Sequence, residues 1–258
     1  MSLLELTPPE LVECAATAGF RCVNMRLSPA REGEEPYPMS PGSPMLADTL
    51  ARMDGLGVTV SNVEVIKVGP ETAPDDYGAL FERSVAVGAS QIITVSTDPD
   101  FDRATDTFAR LCERAASFDL VLALEFMRFM KVADLASAAK MVRMTNAANA
   151  RILPDVLHMA RCGDTPEMLA DLSDIIGFIQ ICDAPVTAPE DIIHEARFAR
   201  LLPGEGELSV RAVLDAAPPE TPVTVESPLD GARGKLPPLR RAQLTFDAVQ
   251  RFIASTNA

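Results

Sequence analysis

Four side chains with oxygen donors stand at or near the ends of apolar runs whose composition is typical of β-strands. They are Glu125 in ALE, Asp155 in ILPD, Gln180 in FIQ and Glu226 in VTVE. A lone carboxylate buried in such a run costs several kcal/mol unless it is paired or bound to a cation. Three carboxylates and one amide oxygen are hard donors, which suit Mg²⁺, Mn²⁺ or Co²⁺ better than an ion that prefers thiolates. Each residue alone is more often a surface or salt-bridged group, but the four together predict one divalent metal site.

Two further residues are candidates for binding a substrate beside that site. His158 follows Asp155 by three residues in DVLH, so it can face the same pocket as the chain turns from strand to helix. There it would polarise or protonate a substrate oxygen, whereas the alternative is a histidine that caps or packs against the helix start. Arg200 opens RLLPGEGEL and would present a permanent cation to a hydroxyl, carboxylate or phosphate. A solvated loop arginine is the alternative, and Arg197 is a weaker substitute for this role.

The sequence leaves the role of four other polar residues open. Asn24 and Arg26 lie in one predicted strand, and Glu64 and Lys67 lie towards the end of the next. Successive side chains of a strand point to opposite faces, and the sequence alone does not fix which set faces inwards. Each of the four can therefore line the pocket or face the surrounding helices.

Strand-like and helix-like segments alternate along the whole chain, which predicts a single (β/α)₈ barrel over residues 1–258. In such a barrel the carboxyl ends of all strands meet on one face, so the four donors would converge there. The long connections 28–42 and 183–208 follow strands and would form walls of a pocket on that face. A doubly wound open sheet is the competing layout, but no GxGxxG follows the first strand and no phosphate-binding loop is present. The predicted strands are 2–6, 20–27, 58–68, 91–97, 121–126, 151–155, 177–183 and 222–227, and the predicted helices are 8–18, 45–53, 76–87, 101–118, 132–144, 166–172, 209–216 and one within 237–254.

Charge and composition narrow the range of partners. The 23 basic and 37 acidic residues give a net charge of −14, which repels a phosphate backbone and argues against nucleic acid. No apolar run reaches the roughly 18 residues that a membrane span needs, and the start MSLLELTPPE lacks the pattern of a signal peptide. We therefore expect a cytoplasmic protein that acts on a small molecule. The five cysteines have no CxxC spacing, so we expect reduced thiols, with Cys182 packed rather than nucleophilic.

The motifs ALEF, LPDVLH, IQICDAP, RLLPGEGEL and VTVE, in this order, resemble those of the xylose isomerase-like TIM barrels. That superfamily includes sugar epimerases, hydroxypyruvate isomerase, inosose dehydratase and dehydroshikimate dehydratase. The resemblance implies a Glu, Asp, Gln or His, Glu metal shell, here Glu125, Asp155, Gln180 and Glu226, with His158 and Arg200 at substrate-contacting positions. A glutamine as third ligand is similar to the hydroxypyruvate isomerase-like and dehydratase-like members, whereas ketose 3-epimerase-like members have histidine. The resemblance is also compatible with a homodimer.

The chemistry that such a shell supports is proton removal next to a carbonyl. A substrate with adjacent hydroxyl and carbonyl oxygens would chelate the metal, and Glu125 or Glu226 would take the proton to leave an enediolate. Returning the proton gives isomerisation or epimerisation of a small sugar, sugar phosphate or hydroxy-keto acid, which is the favoured reading. Expelling a β-hydroxyl instead gives a dehydratase of a cyclic polyol or keto acid. An endonuclease of abasic DNA is disfavoured by the charge and the two histidines, and a non-catalytic binding barrel is the remaining alternative.

Overall fold

The computed structural model describes residues 2–29, 33 and 35–255, in which helices alternate with parallel strands. Residues 30–32 and 34 of the predicted wall 28–42 lie outside this described part. The strands are β1 (Cys22–Arg26), β2 (Thr59–Val68), β3 (Gln91–Ser96), β4 (Val121–Glu125), β5 (Ala150–Leu153), β6 (Ile179–Ile181) and β7 (Val223–Val225). The α-helices are α1 (Pro8–Ala18), α2 (Pro44–Leu56), α3 (Gly78–Ala86), α4 (Phe101–Ala116), α5 (Leu135–Thr145), α6 (Val156–Cys162), α7 (Ile192–Phe198), α8 (Val210–Ala216), α9 (Gly231–Gly234) and α10 (Pro238–Ala254).

The strands are parallel and follow one another in chain order, as a barrel requires. β1 to β5 form one sheet in consecutive order, and β6 pairs with β7. Isolated parallel bridges between Ile152 and Ile176 and between Asp155 and Gln180 connect the two groups of strands. A doubly wound sheet would instead reverse its strand order at a switch point. The consecutive order favours the predicted barrel over that alternative.

Helices cover the outside of the barrel, and a small apolar layer fills its inside. On α4, buried residues at helical spacing face the strands: Ala104, Phe108, Leu111 and Ala115. A separate buried cluster is formed by residues of β3, β4 and β5 and the residue before β6: Ile93, Ala123, Leu153 and Phe178. Glu125, Asp155 and Gln180 each lie two residues after a member of this cluster, so they project to the same inner side one layer higher.

Local sequence signals set the first helix as predicted. Thr7 and Glu10 form a capping box at the start of α1, and Pro8 occupies the first turn. Gly19 ends the helix with φ 107°, a left-handed conformation that side chains with a Cβ rarely adopt. A Cβ at that position would also lie 2.8 Å from the Phe246 ring of α10. Gly19 therefore both stops α1 and lets α10 approach it closely.

The predicted first strand, residues 2–6, is not a strand. This segment forms turns, in which the Leu6 N–H donates to the Leu3 carbonyl at 3.2 Å. It is held by Arg241, whose Nη1 donates to the Ser2 carbonyl at 3.1 Å. Among the described residues no ladder joins β1 to β7, and an apolar cavity of about 850 Å³ lies between them. An apolar pentapeptide becomes a strand only when neighbouring edges pair with it, and that pairing is not a local property.

Other elements also differ from the prediction, and the short helices α6 and α9 are not among the predicted ones. Residues 166–172 form a 3₁₀ helix, Pro166–Leu172, rather than an α-helix. The connection 183–208 contains the short helix α7, whose start is capped by Asp191, so His194 is helical rather than in a loop. Within the described residues, no helix is both long and apolar enough to cross a membrane.

Candidate metal centre

The ends of β4, β5 and β7 bring three buried carboxylates to one face of the barrel. Glu125 is the last residue of β4, Asp155 follows β5 by two residues, and Glu226 follows β7 directly. Each is at most 6% exposed. Ligand atoms of Glu125, Asp155 and His158 all lie within 4.8 Å of one another. The structure therefore brings Glu125, Asp155 and His158 together, and Arg200 links Asp155 to Glu226.

Gln180 supplies a buried acceptor oxygen beside the carboxylates. It lies in the middle of β6 beside Asp155, and its Nε2 donates to the Glu226 carboxylate. Its Oε1 is buried and has no hydrogen-bond partner among the described residues. An unpaired buried amide oxygen costs about 1–3 kcal/mol unless a donor or a cation meets it. Beside Asp155 and Glu226, this oxygen fits the fourth ligand of a hard divalent cation.

Arg200 reaches the same cluster from the long connection after β6. Its Nη1 lies 2.7 Å from Asp155 Oδ2, and its Nη2 lies 3.0 Å from Glu226 Oε2. The guanidinium is aimed by its Nε, which donates to the carbonyl of Ala196 on α7 at 2.9 Å. Arg200 is 2% exposed whereas Arg197 is exposed, so the structure favours Arg200 over its substitute. Burial opposes its charge, but Asp155 and Glu226 hold the pKa of Arg200 well above its ordinary value.

His158 faces the cluster from the first turn of α6. Its backbone N–H donates to Asp155 Oδ1 at 3.1 Å, which caps the helix, and its Nε2 lies 3.8 Å from Glu125 Oε1. The Phe129 ring contacts the imidazole edge-on, with 5.8 Å between ring centroids. Burial lowers the pKa of His158 to about 4, so the ring is neutral at pH 7 and has a lone pair to offer.

The cluster carries more negative than positive charge. Among the described side chains, three carboxylates and one guanidinium give a formal charge of −2, with His158 neutral. Burial, and then the charges of Asp155 and Glu226, raise the pKa of Glu125 well above its ordinary value. Burial also opposes ionisation of Glu226, but facing positive charges such as Arg200 lower its pKa to about 2. A divalent cation would balance this excess.

Asp183 organises the turn that leads away from Arg200. Its Oδ1 accepts from the N–H groups of Ala184 and Leu208, and its Oδ2 accepts from Gly204, at 2.9 to 3.0 Å. A Cβ on Gly206 would lie 2.4 Å from Asp183 Oδ1 and 2.5 Å from the Ala184 carbonyl. The PGEG turn therefore packs against Asp183 only because residue 206 is glycine.

The structure also shows where the four residues lie whose orientation the sequence left open. Arg26 and Glu64 form a salt bridge of 3.1 Å, with side chains 11% and 14% exposed, on the wall of the cavity that reaches Glu226. Asn24 lies on the same wall and accepts from Ser61 Oγ at 2.9 Å. Lys67 is exposed. Lys67 lies two residues after Val65, which packs against the inner apolar cluster, so it projects to the same inner side at the exposed mouth of the barrel.

Several residues near the site were not singled out from the sequence. They are Asp183, Phe129 and a buried ion pair between Arg161 of α6 and Glu195 of α7. Asp183 had a local signal, since it ends the apolar run GFIQICD and is followed two residues later by Pro185. Arg161 and Glu195 are 34 positions apart, and only the packing of α7 on α6 brings them together.

Comparisons with known proteins agree with this fold. No curated protein matches the sequence significantly. One similar structure is a xylose isomerase-like TIM barrel/4-hydroxyphenylpyruvate dioxygenase fusion protein, with TM-score 0.78 and 19% identity. The match covers 96% of this chain but only 41% of the fusion protein. The IolI protein with a bound zinc atom matches with TM-score 0.77 and 17% identity over 98% of this chain and 95% of its own. A probable 3-DHS dehydratase from Bacillus anthracis matches with TM-score 0.73 and 12% identity over 95% of this chain and 94% of its own.

The sequence also matches the profile of one family over most of its length. That family is the xylose isomerase-like TIM barrel, and the match covers residues 12–251. The family includes isomerases, epimerases and a dehydratase. This match and the shared fold confirm the predicted fold class and the predicted resemblance. The chain therefore belongs to the xylose isomerase-like TIM barrel family.

Proposed function

We propose that this protein is a divalent-metal-dependent isomerase or epimerase of a small sugar, sugar phosphate or hydroxy-keto acid. One observation carries the proposal above the others: among the described residues the buried Gln180 Oε1 has no hydrogen-bond partner, and Gln180 lies beside the carboxylates of Asp155 and Glu226. Glu125, Asp155, Gln180 and Glu226 would hold the ion. A bound Mn²⁺, Mg²⁺ or Co²⁺ would supply Lewis acidity towards a carbonyl with a neighbouring hydroxyl.

Two carboxylates are available to move the proton. Glu125 on β4 and Glu226 after β7 are separated by β5 and β6, so they approach the pocket from different sides of the barrel. One carboxylate takes the proton next to the carbonyl, which leaves an enediolate; the same group can return that proton to the neighbouring carbon, or an acid on the other side can supply its own proton to the opposite face. Return to the neighbouring carbon isomerises the substrate, and return to the opposite face epimerises it.

Arg200 and His158 would bind and orient the substrate. The guanidinium already pairs with Asp155 and Glu226, so a substrate oxygen that enters the cluster meets a fixed cation. The neutral His158 ring, held between Phe129 and Glu125, can accept a hydrogen bond from a hydroxyl or donate one to a carbonyl. Burial of all these groups excludes water, which strengthens each interaction and protects an enediolate from stray protons.

A dehydratase is the second candidate, because Gln180 rather than histidine stands at the third ligand position. The same carboxylates would remove a proton next to a carbonyl, and a β-hydroxyl would leave as water. The carboxyl that has gained the proton would supply it to that leaving group, and the neutral His158 would donate a hydrogen bond to the departing oxygen. Product analysis separates the two reactions, since only dehydration produces an enone.

The test is turnover of a panel of ketoses, inososes and hydroxy-keto acids, each with EDTA and then with Mn²⁺, Mg²⁺ or Co²⁺. In D₂O, an isomerase or epimerase will place deuterium at the carbon that loses its proton, as seen by NMR. A dehydratase will raise the ultraviolet absorbance of an enone. Uptake of metal without turnover of any panel member would favour a binding barrel over an enzyme.

Replacing Glu226 tests the assignment of the site. We expect Glu226→Gln to lower kcat by about 10³-fold or more, because it removes both a ligand and a proton acceptor. The variant should still unfold cooperatively, since the amide is nearly isosteric. Glu220→Gln, on the exposed segment before β7, is the matched control and should retain wild-type rates. Full activity in Glu226→Gln would remove that residue from the mechanism.

A further inference from the structure

Arg161 and Glu195 form a buried ion pair outside the candidate ligand set. Arg161 Nε lies 2.7 Å from Glu195 Oε2, and its Nη2 lies 2.6 Å from Oε1, so the contact is bidentate. The two side chains are only 3% and 6% exposed. The remaining guanidinium N–H groups donate to the carbonyls of Pro185 at 2.8 Å and Val186 at 3.2 Å. One arginine thus ties together α6, the chain after β6 and α7.

The segments that this pair joins are those that place the groups of the site. α6 begins at Asp155 and carries His158, and Arg161 lies in its last turn. α7 carries Glu195, and the next residue, Ala196, offers the carbonyl that accepts from Arg200 Nε. A continuous set of contacts therefore runs from α6 through Glu195 to the guanidinium that meets Asp155.

Stability alone does not account for such a pair. The attraction within a buried ion pair is largely offset by the free energy lost when its two charges leave water. An apolar pair of similar volume is often as stable. What an apolar pair cannot reproduce is the planar, bidentate geometry that fixes α7 against α6 in rotation as well as distance. The arrangement suits a contact whose role is orientation.

We propose that the Arg161–Glu195 pair is a positioning device that holds the Arg200 guanidinium against Asp155 and Glu226. This inference rests on the proposed function in so far as Arg200 belongs to the site. Neither residue is a ligand or a proton carrier in it. Loss of the pair lets α7 rotate on α6, which moves the Ala196 carbonyl and releases Arg200 from the carboxylates.

The direct test is the accessibility of Arg200 to phenylglyoxal, measured by peptide mass mapping with the exposed Arg240 as internal reference. Two variants of the full chain are compared with wild type: Arg161→Met/Glu195→Leu and the milder Glu195→Gln. We expect Arg200 to be modified about tenfold faster in the double variant and measurably faster in Glu195→Gln, the scale on which residues that orient ligands usually act. Arg143→Met/Asp174→Leu, which removes an exposed bidentate pair, is the matched control and should leave Arg200 protected.

Metal affinity and turnover give a second readout in the same variants. We expect Mn²⁺ affinity to change and kcat to fall by about 10- to 100-fold, with cooperative unfolding retained. If the double variant does not fold, Glu195→Gln decides the question. Arg200 as protected as in wild type, in any folded variant, overturns the proposal. A wild type that takes up no metal would overturn the proposed function instead, and the modification rates would still decide the positioning role.

Discussion

At the scale of single residues, Asp155 uses its two carboxylate oxygens for different tasks. Oδ1 accepts from the His158 N–H and caps α6, while Oδ2 pairs with Arg200. An N-cap of this kind contributes about 1 kcal/mol to stability. The residue that anchors the charge cluster therefore also fixes the start of the helix that carries His158.

The excess negative charge of the cluster predicts a metal affinity that depends on pH. Burial and the charges of Asp155 and Glu226 raise the pKa of Glu125, so without a cation this carboxyl tends to keep its proton. A cation must displace that proton, so affinity should rise with pH until the carboxyl is fully ionised. Calorimetric titration with Mn²⁺ in buffers of different ionisation enthalpy will measure the release.

Glu125→Gln is the control for this pH dependence. The variant lacks the titrating carboxyl, so it should bind Mn²⁺ more weakly and release fewer protons. Binding by the wild type with no proton release and no pH dependence would contradict the placement of Glu125 in the cluster.

At the scale of elements, the turn after Arg200 depends on one glycine. A Cβ at residue 206 would meet Asp183 Oδ1 and the Ala184 carbonyl well inside contact distance, and a backbone carbonyl cannot swing away. We expect Gly206→Ala to lower the free energy of unfolding by roughly 1–3 kcal/mol. Denaturant unfolding measures the change, and weaker metal binding should accompany it because Arg200 enters this turn.

Gly55→Ala provides a contrast within the same chain. Gly55 lies in α2, and nothing is within 4 Å of the position its Cβ would take. Alanine there should stabilise the protein by about 0.5–1 kcal/mol, because glycine weakens a helix interior. If Gly206→Ala did not lower the free energy of unfolding either, that result would contradict the close packing of the turn on Asp183.

At the scale of the whole molecule, the reactivity of the cysteine thiols tests how well the barrel is closed. Burial raises the pKa of Cys112 and of Cys182 to about 12, so both are unreactive thiols inside the layer of helices. Cys22 is exposed in β1, beside the cavity that separates β1 from β7. Iodoacetamide at about pH 8 should therefore modify Cys22 first, since exposure and the thiolate fraction set the rate.

Mass spectrometry with and without denaturant tests this order. All five cysteines should react once the chain is unfolded, which shows that protection belongs to the fold. Fast native labelling of Cys182 would mean that the packing of α6 and α7 around Arg200 is open. Slow labelling of Cys22 would mean that the β1 edge is covered.

The sequence by itself determined the fold class and the residues of the candidate centre. Alternating strands and helices imply a parallel barrel, and a parallel barrel places every strand's carboxyl end on one face. Glu125, Asp155, Gln180 and Glu226 could therefore be grouped without any contact being known. Where each residue lies within a predicted strand follows from the pattern of its neighbours in the sequence, so this information is local.

Only the tertiary structure decided which further groups meet that centre. The N-terminal segment 2–6 forms turns instead of a strand, α7 arises within a predicted connection, and Arg26 pairs with Glu64. The pairing of Arg161 with Glu195 joins residues 34 positions apart. Each of these features depends on contacts between distant segments, either the pairing of strand edges or the pairing of buried charges. Local propensity does not predict such contacts.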